Sequence, residues 1–167
     1  MKRLRKEQEV KMKIMEFLIP EAVSANLQAV DKKSVLKELV GLLINAGEIK
    51  EKDRDKLIKI LLEREALGST GIGQGIGIPH GKYSSVKNLI GACGISHKGV
   101  NFESLDGELV QIFFLLIAPE DSAGPHLKAL ARVSRLLKDK YFRDTLKAIK
   151  EEKSLLKVIK EEDQKKV

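Results

Sequence analysis

The sequence feature that most constrains the fold is a nearly continuous apolar run, Leu109 to Ile117 (LVQIFFLLI), which only Gln111 interrupts. A strand that is apolar at almost every position has to be covered on both faces. Such a strand is typical of the centre of a sheet that has helices on either side. Pro119 follows the run and ends the strand.

Shorter strands and amphipathic helices alternate along the rest of the chain. Further strands are expected at residues 23–30, 76–79 and 89–95. Helices are expected from the N-cap Asp31 to Gly47, from Asp53 to Gly68, from Pro125 onward, and near 140–150 and 152–162. In the helix that Pro125 opens, the expected buried stripe is Leu127, Leu130, Ala131, Val133 and Leu137. This alternation predicts an α/β fold with helices on both faces of the sheet.

Composition limits the classes of function. The 167 residues, 43% of them hydrophobic, suit a single domain. There is no tryptophan and one cysteine, Cys93, which leaves few residues for stacking on RNA and suits a reducing compartment. No apolar run is long enough to span a membrane and no signal peptide is evident, so the expected location is cytoplasmic. Residues 1–13 hold six Lys/Arg against two Glu, which indicates a solvated arm, with nucleic-acid or lipid contact as the alternative.

A glycine-rich stretch, GSTGIGQGIGIPHGK at residues 68–82, is the most unusual segment. Its spacing fits neither the dinucleotide fingerprint nor the P-loop. Glycines free backbone amides to turn toward an anion, and hydroxyls add donors. The candidate phosphate-binding residues are therefore Ser69, Thr70, Gly71, Gly73 and Gly75. An irregular strand crossed closely by another backbone would explain the same glycines.

Three side chains are candidate catalytic groups. Two lie in or beside this stretch, and the third follows a proline later in the chain. Arg64 lies four residues before Gly68 and offers fork-like donors to phosphate. His80, between a proline and a glycine, can act as a neutral nucleophile. His126 follows Pro125 in the expected first turn of a helix, where an anion is favoured. Each has a plainer explanation as a solvated or packed residue. Three histidines and one cysteine make a poor ligand set, so no metal is expected.

Taken together, these segments resemble the enzyme IIA domain of the fructose/mannitol (type 2) class of the bacterial sugar phosphotransferase system. The matching blocks are REALGSTGIGQGIGIPHGK, NFESLDGELVQIFFLLIAPED and HLKALARVSRLLKD. The resemblance covers residues 18–162, leaving 1–17 as a basic arm or helix and 163–167 as a tail. It implies an α/β/α sandwich around a mixed β-sheet in a single domain.

The resemblance also implies a phosphotransferase activity and assigns its residues. His80 would accept a phosphoryl group from phospho-HPr or an HPr-like protein, with Arg64 and His126 as its active-site partners. Because the donor is itself a phosphohistidine, no cofactor, nucleotide or metal is expected. No nucleic-acid partner is expected either.

The family contains two kinds of protein, and the sequence leaves both open. A stand-alone nitrogen-regulatory IIA protein that acts on a regulated target is the favoured hypothesis. The alternative is a fructose/mannitol transport IIA that passes phosphate to a IIB domain. A non-catalytic module that senses an anion or a partner is the alternative from a different class.

Overall fold

A mixed six-stranded sheet forms the centre of residues 12–166, the part of the chain that the computed structural model describes. The strands are β1 (Leu18–Ser24), β2 (Gly71–Gly73), β3 (Ile76–Gly77), β4 (His80–Lys82), β5 (Ile90–Val100) and β6 (Val110–Ala118). Their order is β1-β5-β6-β3-β2, and β4 also pairs with β6. The β5–β6 and β2–β3 pairs are antiparallel and the others parallel. The predicted mixed sheet is confirmed.

Strand β6 is the central strand that the apolar run predicted. It pairs with β5 along one edge and with both β3 and β4 along the other. Its side chains alternate between two separate clusters of buried residues. Ile112, Phe114 and Leu116 belong to one, and Phe113, Leu115 and Ile117 belong to the other. The sheet is therefore covered on both faces.

Five α-helices form the two outer layers in the described range. One face carries α1 (Lys32–Asn45) and α2 (Arg54–Ala66), and the other carries α3 (Ala123–Leu136), α4 (Lys140–Ala148) and α5 (Glu152–Lys165). Asp31 caps α1 as predicted, because its carboxylate accepts from the Ser34 amide at 2.9 Å. Among residues 12–166, no helix has the length and apolar character needed to cross a membrane.

The first strand lies earlier than the sequence pattern predicted. The strand runs from Leu18 to Ser24, whereas 23–30 was expected. It contains Pro20, which lacks an amide donor, and the exposed Glu21. Both are tolerated because, among residues 12–166, β1 pairs with β5 alone and lies at the edge of the sheet. These two residues interrupt the apolar pattern by which a strand is recognised in the sequence.

Helix α3 is rotated relative to its predicted buried stripe. It begins at Ala123, two residues before Pro125, and its buried residues are His126, Ala129, Arg132, Val133 and Leu136. Leu127, expected inside, is 67% exposed, and Ala131 is exposed as well. The apolar pattern fails here because Arg132, a charged residue, is buried against Asp163.

Packing extends beyond the boundaries expected at residues 17 and 163. Ile14 and Phe17 are buried in the core. At the other end α5 continues to Lys165, and the Asp163 carboxylate accepts from the Ile14 and Met15 amides and from Arg132. The rest of the expected basic arm, residues 1–11, lies outside the described residues.

Candidate active site

His80 is placed by a short strand between the two helical layers. It opens β4 and pairs with Leu116 of β6. The next residue, Gly81, lies against α2: a Cβ at this position would come within 3.2 Å of Ile60 Cγ2. The missing side chain lets β4 lie close to α2, the helix whose last turn contains Arg64. Close backbone packing therefore brings the histidine and the arginine into the same region.

The His80 ring is held in one tautomer by the backbone carbonyl of Ile78. Nδ1 lies 2.8 Å from the Ile78 carbonyl oxygen. Because a carbonyl oxygen only accepts, Nδ1 carries the proton, and Nε2 of the neutral ring keeps its free electron pair. Burial lowers the pKa of His80, and the charge of Arg64 lowers it further, against opposing contributions from the Ile78 bond and Glu65. The ring is thus a neutral imidazole at physiological pH.

His126 lies beside His80, on helix α3, which packs on the face of the sheet opposite to α2. The two ring centroids are 5.3 Å apart, and the planes meet edge to face at 79°. The His126 amide donates to the Ser122 carbonyl at 3.2 Å, so this residue closes the first turn of α3 and does not lie among its free amides. Within residues 12–166, its buried Nε2 has no hydrogen-bond partner.

The environment of His126 keeps its ring neutral. Burial lowers its pKa to about 4, and the nearby His80 and Lys82 lower it in the same direction. In the tautomer whose proton lies on Nε2, a neutral imidazole can donate a hydrogen bond to an anion that reaches this nitrogen.

Arg64 completes the group of predicted catalytic residues. Its Nη1 donates to the Gly68 carbonyl at 2.9 Å, and its side chain is half-buried. A guanidinium has five N–H donors, so donors remain for a phosphate oxygen. The structure therefore brings Arg64, His80 and His126 together, although their catalytic roles stay predictions.

The hydroxyls and two backbone amides of the expected phosphate loop are occupied within the protein. Ser69 Oγ donates to the Phe102 carbonyl at 3.1 Å and accepts from the Gly71 amide at 3.0 Å. Both the amide and the hydroxyl of Thr70 donate to Glu65. These groups hold the loop in place in the unliganded protein.

The later glycines form a tight turn away from His80. Gly73 and Gly75 have φ values of 101° and 77°, and they flank the turn between β2 and β3. The Gly75 carbonyl accepts from the Ile112 amide, whereas His80 pairs with Leu116 four residues farther along β6. At the rise of an extended strand this is roughly 13 Å. The structure does not bring this turn to His80, and phosphate binding by Ser69, Thr70 and these glycines stays a prediction.

Sequence reasoning missed two charged residues and one carbonyl near the histidines. Glu65 is buried beside Arg64, and the charge of Lys82 lowers the pKa of His126. The Ile78 carbonyl accepts from His80 and so fixes its ring. A signal for Glu65 was present, because Leu57, Leu61 and Glu65 recur at four-residue spacing on the buried face of α2. A carboxylate in that stripe requires a partner.

The remaining histidine and the cysteine take no part in this group. His97 Nε2 donates to the Ala25 carbonyl at 2.8 Å. Cys93 is buried, and burial raises the pKa of its thiol. Residues 12–166 contain no cluster of three or more His, Cys, Asp or Glu side chains arranged to hold a metal ion.

The sequence and the fold match a known class of protein. The model of the family described as phosphoenolpyruvate-dependent sugar phosphotransferase system, EIIA 2, matches residues 16–162. The chain belongs to this family, whose members carry phosphoryl groups. The resemblance stated from the sequence is thus confirmed.

Curated relatives fall into the two expected kinds. The nitrogen regulatory protein of Bradyrhizobium diazoefficiens is 36% identical over 148 residues, covering 89% of this chain and 95% of the relative. The fructose-specific EIIABC component of Bacillus subtilis is 38% identical over 152 residues, which cover 91% of this chain but 24% of that longer protein.

Solved structures agree on the fold. The nitrogen regulatory protein IIA-Ntr of Neisseria meningitidis has a TM-score of 0.78 and 29% identity, and the match covers 87% of this chain and 98% of that one. The IIA mannitol structure from Escherichia coli has a TM-score of 0.70 at 18% identity, over 83% of this chain and 96% of that one.

Proposed function

We propose that the chain is a histidine phosphocarrier that accepts a phosphoryl group on Nε2 of His80 from the phosphohistidine of HPr or an HPr-like protein. The observation that carries this proposal is the hydrogen bond from His80 Nδ1 to the Ile78 carbonyl, which leaves Nε2 unprotonated. In the transfer, the Nε2–P bond forms as the donor's N–P bond breaks. The electron pair of the broken bond stays on the donor nitrogen, so no further reactant is needed.

Arg64 and His126 supply the electrostatic part of the reaction. The transition state of phosphoryl transfer spreads charge over three equatorial oxygens, and catalysis consists of positioning and stabilising that charge. The free guanidinium donors of Arg64 can donate to these oxygens, and so can Nε2 of a neutral His126 in the tautomer that carries its proton there. The low pKa of His126 keeps its ring neutral, so its contribution is a hydrogen bond and not a charge.

Phosphorylation in a reconstituted system tests the proposal. The protein is incubated with phosphoenolpyruvate, enzyme I and HPr, and its intact mass is measured. We expect an acid-labile gain of about 80 Da, one phosphoryl group. The gain should vanish in His80→Ala, persist at a reduced rate in His126→Ala, and remain unchanged in His97→Ala, the matched control outside the site. No gain in the wild type beside phosphorylated HPr would contradict the proposal and favour a non-catalytic sensor.

We further propose the nitrogen-regulatory role over sugar transport. The support is the Bradyrhizobium relative, which this chain matches over nearly its full length, and the likeness to the Neisseria IIA-Ntr structure. The fructose-specific relative, with slightly higher identity, favours the alternative. Mixing the phosphorylated protein with a fructose-type IIB domain separates the two roles. Retention of the phosphoryl group is expected, and rapid transfer to IIB would indicate transport.

A further inference from the structure

Glu65 is a buried carboxylate whose interactions lead toward the reacting histidine. It lies in the last turns of α2 and is 6% exposed. Lys32 Nζ, at the start of α1, lies 3.3 Å from its Oε1. The Thr70 amide donates to the same oxygen at 3.1 Å, and the Thr70 hydroxyl donates to Oε2. The carboxylate is thus both ion-paired and hydrogen-bonded, as a buried charge requires.

The hydrogen bonds continue from Thr70 to the His80 ring. The Thr70 carbonyl accepts from the Ile78 amide at 3.0 Å, and the Ile78 carbonyl accepts from His80 Nδ1 at 2.8 Å. Glu65 therefore fixes one end of a short series of bonds, and the proton on the His80 ring lies at the other end.

The loop is held from its other side by the segment before β6. Ser69 Oγ donates to the Phe102 carbonyl, and the Leu105 amide donates to the Gly71 carbonyl at 2.9 Å. These bonds fix the residues on either side of Thr70, whereas Glu65 holds the amide and hydroxyl of Thr70 itself. Arg64, the neighbour of Glu65, donates to Gly68 in the same loop.

We propose that Glu65, held by Lys32, is a positioning residue for His80: by fixing Thr70 it fixes the Ile78 carbonyl, which keeps the proton on Nδ1 and Nε2 free. The consequence for rate rests on the proposed phosphocarrier function. The consequence for the ring does not, because the tautomer of His80 exists in the unphosphorylated protein.

Two measurements on the full chain test this proposal. Long-range ¹H–¹⁵N NMR spectra of labelled protein report which His80 nitrogen carries the proton, and the reconstituted system reports the initial rate of phosphorylation. In Glu65→Leu we expect a mixture of tautomers and a rate lower by on the order of tenfold to a hundredfold, since small misplacements of a reacting group have effects of this size. Glu65→Gln keeps an acceptor oxygen and should recover most of both. The matched control is Glu63→Gln, an exposed glutamate on the same helix.

The outcomes separate positioning from a general effect on folding. A folded Glu65→Leu protein with wild-type tautomer and rate would overturn the proposal. If Glu65→Leu fails to fold, Thr70→Val decides: it removes the hydroxyl donor but keeps the backbone amide, and it should shift the tautomer in the same direction by less. An unchanged tautomer in Thr70→Val would then overturn the proposal. If the wild type is never phosphorylated, the phosphocarrier function fails while the tautomer comparison still decides the role of Glu65.

Discussion

Two buried carboxylates on opposite helical layers, Glu65 and Asp163, look alike in isolation. Glu65 is 6% exposed and Asp163 is 2% exposed. Each pairs with one basic side chain, Lys32 in the first case and Arg132 in the second. Each also accepts from backbone amides. By burial and pairing alone the two could not be told apart.

What each carboxylate connects is different. Glu65 leads through Thr70 and Ile78 to the ring of His80. Asp163 accepts from the Ile14 and Met15 amides and from Arg132, and so joins the first described turn of the chain to α3 and α5. One network serves the site and the other holds two ends of the domain together. A buried ion pair thus acquires a function from what it is bonded to, and not from being buried.

The largest effect on stability is expected at Asp163. Asp163→Ala leaves the Arg132 side chain, 3% exposed, as an uncompensated buried charge. We expect the free energy of unfolding to fall by about 3–5 kcal/mol, measured by chemical denaturation. The phosphorylation rate of the folded protein should stay near that of wild type. A large loss of phosphorylation rate in Asp163→Ala, with little change in unfolding free energy, would show that the Asp163 network also affects the site and would contradict this comparison.

The opposite pattern is expected at Arg64. Arg64→Ala removes a positive charge beside His80, and among the described residues its guanidinium makes one hydrogen bond, to the Gly68 carbonyl. We expect the phosphorylation rate to fall on the order of 10²- to 10³-fold, as for the loss of one preorganised donor, with little change in unfolding free energy. Arg64→Lys keeps the charge but loses the fork and should be intermediate. Equal rates in wild type and Arg64→Ala would remove Arg64 from the site.

Acid should lower the free energy of unfolding through His126. Its pKa is about 4 in the folded protein against 6.5 unfolded, so between these values the unfolded chain binds a proton that the folded one does not. The stability from this group is present above pH 6.5 and is lost as pH falls toward 4, by about 1.4 kcal/mol per pH unit at most.

Denaturation at several pH values checks this expectation. His126→Gln cannot titrate in this range, and its stability should therefore fall less between pH 6.5 and 4 than that of wild type. Parallel curves for the two proteins would show that His126 is not the group responsible. The His126 ring protons should titrate near pH 4 by NMR.

The smallest effect is expected where a pair touches neither network. Lys140 and Asp144 form an exposed ion pair on α4, with N···O 2.8 Å. Exposed pairs of this kind contribute little. Asp144→Asn should leave both the denaturation midpoint and the phosphorylation rate unchanged within error, which makes it a control for the charge changes above.

The elements with strong local patterns were predicted from the sequence. The apolar run gave β6, Asp31 marked the start of α1, and α2, α4 and α5 lie close to their expected positions. Elements whose pattern is broken by context were misplaced. Strand β1 tolerates Pro20 because it lies at the sheet edge, and α3 turns Arg132 inward because Asp163 neutralises it. The pairing of β1 with β5 and the ion pair of Arg132 with Asp163 both join residues that are distant in the sequence, so a local pattern could not reveal them.

The sequence by itself determined the family, the candidate residues Arg64, His80 and His126, and the central strand, because motifs and periodicity are local properties of the chain. Only the tertiary structure decided how these residues meet. The pairing of β4 with β6 and the packing of α3 on the sheet place the two histidine rings 5.3 Å apart, and α2 on the other face carries Arg64. The tertiary structure also decided which nitrogen of His80 is free. It placed Glu65 at the far end of the series of hydrogen bonds that leads to the His80 ring. These contacts join segments that are distant along the chain, and only folding brings such segments together.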